Sequence, residues 1–363
     1  MSTHSLPETH DAFPVQVETK SLEPSHYPDW DRYVASRVDA GAYVSTSWKR
    51  AVEEAYGHTT TYLVATHNGT IVGGLPLALI RPIFGKCQLV SLPFCDFGGL
   101  FADTAQIANQ LLETAENLAR RHNAILEIRT ADASPTLDHA RDYHQITDKC
   151  RMVLQLPGSA AELWRQFKSK LRSQVKRAKS NGLEARLGGT ELLPDFYFVF
   201  CRNMRDLGSP VHSQGWFQSI FRAFGTQARS VVVYSGSTPV AAGILLRHAD
   251  SVCTPWASSL RQFNKLSPNM LVYWSLLEYA ADTGCRCFDF GRSTPGEGTY
   301  LFKSQWGAEP QALHWFRKPH SAGPGDVPSK RSVLRHMSER IWQQMPVCLA
   351  NRFGPGIRKY ISL

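Results

Sequence analysis

One run of the 363-residue chain concentrates side chains that can do chemistry. It reads Cys287-Phe288-Asp289-Phe290-Gly291-Arg292-Ser293-Thr294, continues through Gly296-Glu297-Gly298-Thr299-Tyr300-Leu301-Phe302-Lys303, and ends at Gln305-Trp306-Gly307. An apolar, alternating segment that stops at Gly-Arg-Ser-Thr-Pro-Gly predicts a strand opening onto a glycine-rich loop. Alternation places Cys287, Asp289 and Gly291 on one strand face and Phe288, Phe290 and Arg292 on the other. An acid set among aromatics needs a partner, because a buried unpaired charge is costly. Asp289 therefore pairs with Lys303 or Arg292. Such a pair either holds the fold together or works as part of an active site, since both uses look alike in sequence.

The order Asp-Phe-Gly-Arg-Ser, Gly-x-Gly-Thr-Tyr, Phe-Lys-x-x-Trp-Gly resembles the C-terminal signature of the FemAB-like branch of the GNAT acyltransferase superfamily. More narrowly, it is similar to FemAB-related proteins associated with PEP-CTERM/exosortase exopolysaccharide systems. Relatives of that branch include peptidoglycan-bridge aminoacyltransferases, which use charged tRNA. The resemblance implies acyl transfer, acetyl or aminoacyl, from a carrier to an amine or hydroxyl of an exopolysaccharide or cell-envelope precursor. The alternatives are a tRNA-dependent, peptidoglycan-type aminoacyltransferase and a non-catalytic scaffold for an exopolysaccharide assembly system.

Acyl transfer needs a positioned acceptor, stabilisation of the developing oxyanion and a route for the acceptor's proton. The catalytic candidates are Asp289, Arg292, Tyr300 and Lys303. Lys303 and Arg292 can balance the phosphate of a carrier or precursor, Asp289 can orient them, and Tyr300 can donate a hydrogen bond. No Ser/His/Asp or Cys/His arrangement compels a covalent intermediate, so direct transfer is expected. Asp96, Lys170, Arg172, Gly291, Gly298 and Trp306 are the substrate-binding candidates. Asp96 stands in Pro93-Phe94-Cys95-Asp96-Phe97-Gly98-Gly99, by itself a turn; the resemblance places a similar element near the substrate cleft.

Ser258, Ser267 and Asn269 are the candidates for the carrier. Ser267 fits a helix N-cap with Pro268 in the first turn, and free N–H groups at such a start can bind phosphate. The stretch departs from ordinary GNAT enzymes, whose acyl-CoA loop follows Arg/Gln-x-x-Gly-x-Gly/Ala. No glycine lies between Ser258 and Asn269. No tightly bound cofactor is expected; acyl-CoA or aminoacyl-tRNA would serve as co-substrate.

The net charge of +9 is local. Between Ala161 and Leu183 stand Arg165, Lys168, Lys170, Arg172, Lys176, Arg177 and Lys179 against Glu162 alone. Trp164, Phe167, Leu171, Val175 and Ala178 fall at helical spacing within it, predicting one amphipathic helix from Ser159 to Asn181-Gly182. Its cations form either a solvated face or a contact for tRNA phosphates. The second basic segment is the tail, with Arg331 to Gln344 read as a basic amphipathic helix that docks on the protein or lies on an anionic membrane.

With 43% hydrophobic residues the chain can bury a large core. It has no apolar run near the roughly 20 residues that cross a bilayer. Met1 to Asp11 carries no signal-peptide core, so the expected location is cytoplasmic, with peripheral contact at the inner face of the membrane. Eight cysteines without Cys-x-x-Cys spacing, and histidines such as His139 and His144 without ligand spacing, predict no metal. The expected partners are a nucleotide- or lipid-linked sugar precursor, tRNA and, through the tail, the membrane surface.

Two halves repeat one order. Strand, Asn68-Gly69 turn and Val72-Gly73-Gly74-Leu75 recur as strand, Ser235-Gly236-Ser237 and Ala242-Gly243-Ile244, and each half continues into a helix and a strand. The expected fold is α/β (α+β): tandem duplicated GNAT-like domains with mixed, mainly antiparallel sheets flanked by helices. The expected division is a disordered 1–12, a first domain 13–150, a second 151–320 and a linker with tail 321–363. The boundary between domains should lie within Asp132 to Met152, and one domain can borrow an element from the other.

Overall fold

The computed structural model describes residues 18–82, 85–131, 143–318 and 338–362. The expected disordered start, most of the 132–152 boundary and the 321–337 linker lie outside these residues. In the first half, β1 (Glu18–Ser21), β2 (Thr59–His67), β3 (Thr70–Ile80), β4 (Cys87–Val90), β5 (Phe101–Ala102), β6 (Ala124–Thr130) and β7 (His144–Gln145) form one sheet. In the second, β8 (Cys150–Gln155), β9 (Leu183–Gly188), β10 (Ala228–Ser235), β11 (Thr238–His248), β12 (Ser251–Ser259), β13 (Cys287–Ser293) and β14 (Glu309–Ala312) form another. A last strand, β15 (His314–Lys318), returns to the first sheet and pairs antiparallel with β6.

The duplication is visible in the pairing. Hairpin β2–β3 matches β10–β11, and the helices Ala105–Arg121 and Pro268–Asp282 lead into β6 and β13. Those two strands make the parallel pairs, β4–β6 and β12–β13, in otherwise antiparallel sheets. Asn68 and Gly69 both take positive φ, as a tight hairpin turn requires. The chain crosses over at the seam: β8 completes the second sheet beside β13, and β15 goes back to complete the first.

The outer face of each sheet is covered by its own helices, and the inner faces share one core. Helices Thr46–Tyr56 and Gln214–Phe224 meet there, with Trp48 edge-on to Trp216 at 5.3 Å and stacked on Trp256 at 6.1 Å. Trp30, Trp48 and Trp216 are fully buried. Each such ring contributes about 4–6 kcal/mol of burial before entropy, enough to hold the halves as one body.

Several local readings change. The basic run is two helices, Ala160–Gln166 and Ser169–Ser180, because Phe167 turns extended at ψ 140° between them. Ser159 caps the first as expected, accepting from the Glu162 N–H. Ser267 does not cap: it sits left-handed at φ 61°, without a side-chain bond to the helix it precedes. The stretch from Ser258 to Ser267 is the end of β12 followed by a 3₁₀ turn, Arg261–Leu266. Beyond the glycine-rich loop, Gly298–Ser304 is a short helix that carries Tyr300 and Lys303.

Candidate active site

The site begins at a bulge. Along β13 and β8, Asp289 lies opposite Val153 and Arg292 opposite Arg151, so three steps on one strand match two on the other. Gly291 absorbs the extra residue at φ 75°, a conformation that favours glycine. The bulge corrects the simple alternation: Arg292 swings to the face that holds Asp289, and Arg151 joins them there. Asp289 Oδ1 closes the bulge by accepting the Gly291 N–H at 2.7 Å. Lys303 Nζ donates to the carbonyls of Gly291 at 2.9 Å and Arg292 at 2.8 Å. From the first half, Asp96 Oδ2 accepts the Arg292 N–H at 3.0 Å.

Asp96 is delivered by a tightly constrained loop. Leu92 and Phe94 take positive φ, a strained choice for such side chains. A Cβ on Gly98 would lie 1.9 Å from the Ser91 carbonyl oxygen, so the close packing there admits glycine only.

The charges are few, buried and mutually dependent. Asp289 is 7% exposed, and burial pushes its carboxyl up to about 6 against the opposing pull of Arg151 and the Gly291 N–H. Arg151 Nη1 stands 3.8 Å from Asp289 Oδ2. Lys303 is equally buried, and burial brings its ammonium down to about 8 despite Asp96 and Asp289. At neutral pH the pair is therefore ionised, with both members close to changing state. Arg292 Nε lies 3.8 Å from Asp96 Oδ1, and its guanidinium rests over Trp315 at 5.3 Å.

Beyond the bulge the sheet forks. β12 pairs with β13 only over Ser251–Cys253 and Cys287–Asp289, while β12 continues to Ser259. Near the fork, Thr254 Oγ1, Ser293 Oγ and Arg151 Nε are buried with no hydrogen-bond partner among the described residues. A buried polar group left unsatisfied indicates a place for ligand or solvent. Between the sheets, a cavity of about 350 Å³ is lined by Tyr43, Phe97, Arg151, Cys253, Cys287 and Asp289.

The other sequence candidates are scattered. Tyr300 packs half-buried against the second sheet's outer core, and its hydroxyl bonds to none of the described residues. Gly298 is exposed at the start of its helix. Trp306 is 1% exposed and edge-on to Phe167, so its ring presents no face to a ligand. Lys170 is exposed and Arg172 half-buried on Ser169–Ser180, with no ion pair among the described residues and no bond to the cluster. Ser258 Oγ accepts from Asn203, and Asn269 Nδ2 donates to Ser259 Oγ at 3.1 Å. Arg151 and Trp315 were missed. For Arg151 the available signal was a lone cation amid Cys150, Met152 and Val153; Trp315 reaches the site only through the exchanged strand.

Among the described residues, no group of three or more His, Cys, Asp or Glu could hold a metal ion, and no helix is long and apolar enough to cross a membrane.

Two mixed, mainly antiparallel sheets flanked by helices give the chain a tandem GNAT-like fold, and residues 165–304 match the family of the acetyltransferase (GNAT) domain. Among solved structures, the chain is similar to FemX, with 15% identity and TM-score 0.64 over 83% of this chain and 97% of that one. It is also similar to a tandem GNAT protein from the clavulanic acid biosynthesis pathway, with 14% identity and TM-score 0.52 over 86% and 100% of the two chains. For L-PGS from Bacillus licheniformis the values are 10%, 0.54, 90% and 99%. No curated protein matches the sequence.

Proposed function

We propose that the protein is an acyltransferase that moves an aminoacyl group from tRNA to an amine or hydroxyl on a nucleotide- or lipid-linked sugar precursor of the cell envelope or an exopolysaccharide. The observation that carries this reading is the pair of buried, oppositely charged groups, Asp289 and Lys303, on either side of the Gly291 bulge at the fork.

Asp289 Oδ1 is engaged by the bulge, which leaves Oδ2 toward the cavity to take the acceptor's proton. The acceptor nitrogen or oxygen bonds to the ester carbonyl carbon, and the carbonyl electrons become an oxyanion. Lys303 uses two of its three N–H donors on backbone carbonyls, so one remains for that charge. Collapse breaks the ester C–O bond, and the leaving tRNA oxygen receives the proton that Asp289 took from the acceptor, which returns the carboxylate to its starting state.

The donor is assigned from what surrounds the fork. An acyl-CoA pyrophosphate would need free N–H groups in a glycine loop. The chain instead has a 3₁₀ turn, and the Met270 N–H is already given to the Ser267 carbonyl at 3.1 Å. The helix Ser169–Ser180 offers cations with no ion pair among the described residues, suited to RNA phosphates. The test is to supply charged tRNA and acetyl-CoA separately and follow label transfer to nucleotide-linked sugars. Transfer from tRNA supports the assignment; transfer from acetyl-CoA overturns the donor; transfer from neither, with precursor binding intact, favours a scaffold. In the same system, Lys170→Ala with Arg172→Ala should lower the slope of log K against log salt by about 1 per residue removed. An unchanged slope would make this face merely solvated.

A lipid-linked acceptor would bring the protein to a membrane. The tail helix Val347–Arg358 exposes Leu349, Phe353 and Ile357 at four-residue spacing, 43%, 53% and 44% exposed, with Arg352 beside them. Phe353→Ser is expected to reduce co-sedimentation with anionic vesicles about tenfold, the effect of one apolar side chain leaving the interface. Equal sedimentation would exclude this face.

A further inference from the structure

The tail does more than present an apolar stripe. Its helix seats Gly354 against Val211, and the residues after it cross to the first half. His58 Nε2 donates to the Lys359 carbonyl at 2.8 Å, the Phe94 N–H to the Ser362 carbonyl at 2.6 Å, and Arg129 Nη2 to Ser362 Oγ at 2.9 Å. Phe94 and Arg129 flank the loop that delivers Asp96, so the end of the chain is built into the wall of the candidate site.

Arg358 is the odd member of this wall. Its Nε donates to His212 Nε2 at 3.0 Å, and His212 Nδ1 meets the Tyr56 hydroxyl at 2.6 Å. A His212 that accepts through Nε2 is neutral, in keeping with burial holding its pKa well below the usual histidine range. Arg358 therefore has an uncharged partner. Its guanidinium lies over Phe94 at 5.7 Å, and no carboxylate among the described residues forms an ion pair with it. Burial, together with the positive charges of Arg292 and Arg129, brings it down to about 10, so it remains a cation at neutral pH.

The neighbouring acids are already engaged. Glu127 binds both Arg129 and Arg317, and Asp96 faces Arg292. Trp315 carries the guanidinium of Arg129 at 4.7 Å and of Arg292 at 5.3 Å. A half-buried cation with no counter-charge among the described residues is expensive to keep, and guanidiniums gathered beside aromatic faces suit the paired oxygens of a phosphate.

We propose that Arg358, brought in by the C-terminal segment, and Arg292 form an anion subsite beside the bulge that takes a phosphate or diphosphate ester group. That this group belongs to the acyl acceptor rests on the acyl-transfer reading; that an anion binds here does not.

The test is calorimetric titration of the full chain with inorganic pyrophosphate, at one fixed low ionic strength. Wild type should bind one equivalent. Arg358→Gln should bind at least about tenfold more weakly, as expected for losing a charge-assisted contact. Arg292→Gln should show a similar loss and serves as the second variant should Arg358→Gln fail to fold. Arg120→Ala with Arg121→Ala, which removes exposed cations elsewhere, should leave the affinity unchanged. Wild type failing to bind, or equal affinity in the Arg358→Gln and Arg292→Gln variants, overturns the subsite, as does loss confined to the Arg120/Arg121 variant. Pyrophosphate binding that survives while neither donor assay shows transfer would sink the acyl-transfer reading and leave the subsite standing.

Discussion

Exchanging Lys303 for methionine is expected to lower kcat for acyl transfer by about 10²–10³-fold while moving the thermal midpoint little. Two opposing terms make the stability change small. Holding a charged ammonium where its pKa falls from 10.5 to about 8 costs the fold about 3 kcal/mol, which methionine relieves. Methionine also strips the Gly291 and Arg292 carbonyls of their donor, at about 1–3 kcal/mol for each carbonyl left unsatisfied. Catalysis has no such compensation, because no other described cation donates to these carbonyls. Single-turnover rates and thermal melts on the same preparation check this. A rate loss accompanied by a drop of about ten degrees or more would mean that the lysine only pins the bulge.

The sequence made local features legible and left non-local ones hidden. Asn68-Gly69 and Ser235-Gly236-Ser237 announced the hairpins because turn chemistry is written in adjacent residues, and Ser159 announced the start of its helix for the same reason. The break at Phe167 was invisible, since helices Ala160–Gln166 and Ser169–Ser180 both pack on Pro268–Asp282 and share one apolar pattern across it. In the site, Asp289 and Lys303 stood out as charges among aromatics. Arg292 was placed on the wrong face because a bulge is defined by a partner strand more than a hundred residues away, and the same distance hid Arg151. The seat for Arg358 depends on the tail crossing to His58 and Phe94, which no local pattern encodes.

Asp289→Asn should produce the opposite pairing of effects, a more stable protein that has lost its activity. The unfolded chain ionises this carboxyl near 3.8 and the folded one near 6, so the folded state holds the proton more tightly. Wild-type stability must then fall as pH rises from about 4 to about 6 and stay lower above it. A difference of about two pH units corresponds to about 3 kcal/mol at neutral pH, an upper bound because Arg151 loses its charged neighbour. Asparagine resembles the protonated acid at every pH and keeps an oxygen for the Gly291 N–H. The variant's advantage should therefore be near zero at about pH 4 and greatest at pH 7. Its transfer rate should fall about 10²–10⁴-fold, the usual contribution of a proton acceptor. Wild-type kcat/KM should rise through about pH 6 as Asp289 ionises and decline through about pH 8 as Lys303 loses its proton, and only the acid limb should vanish in the residual activity of the variant. Melting curves and pH–rate profiles read both effects. A variant less stable than wild type at pH 7 would make the Asp289–Arg151 pair a structural brace, and one that keeps the acid limb would place the proton acceptor elsewhere.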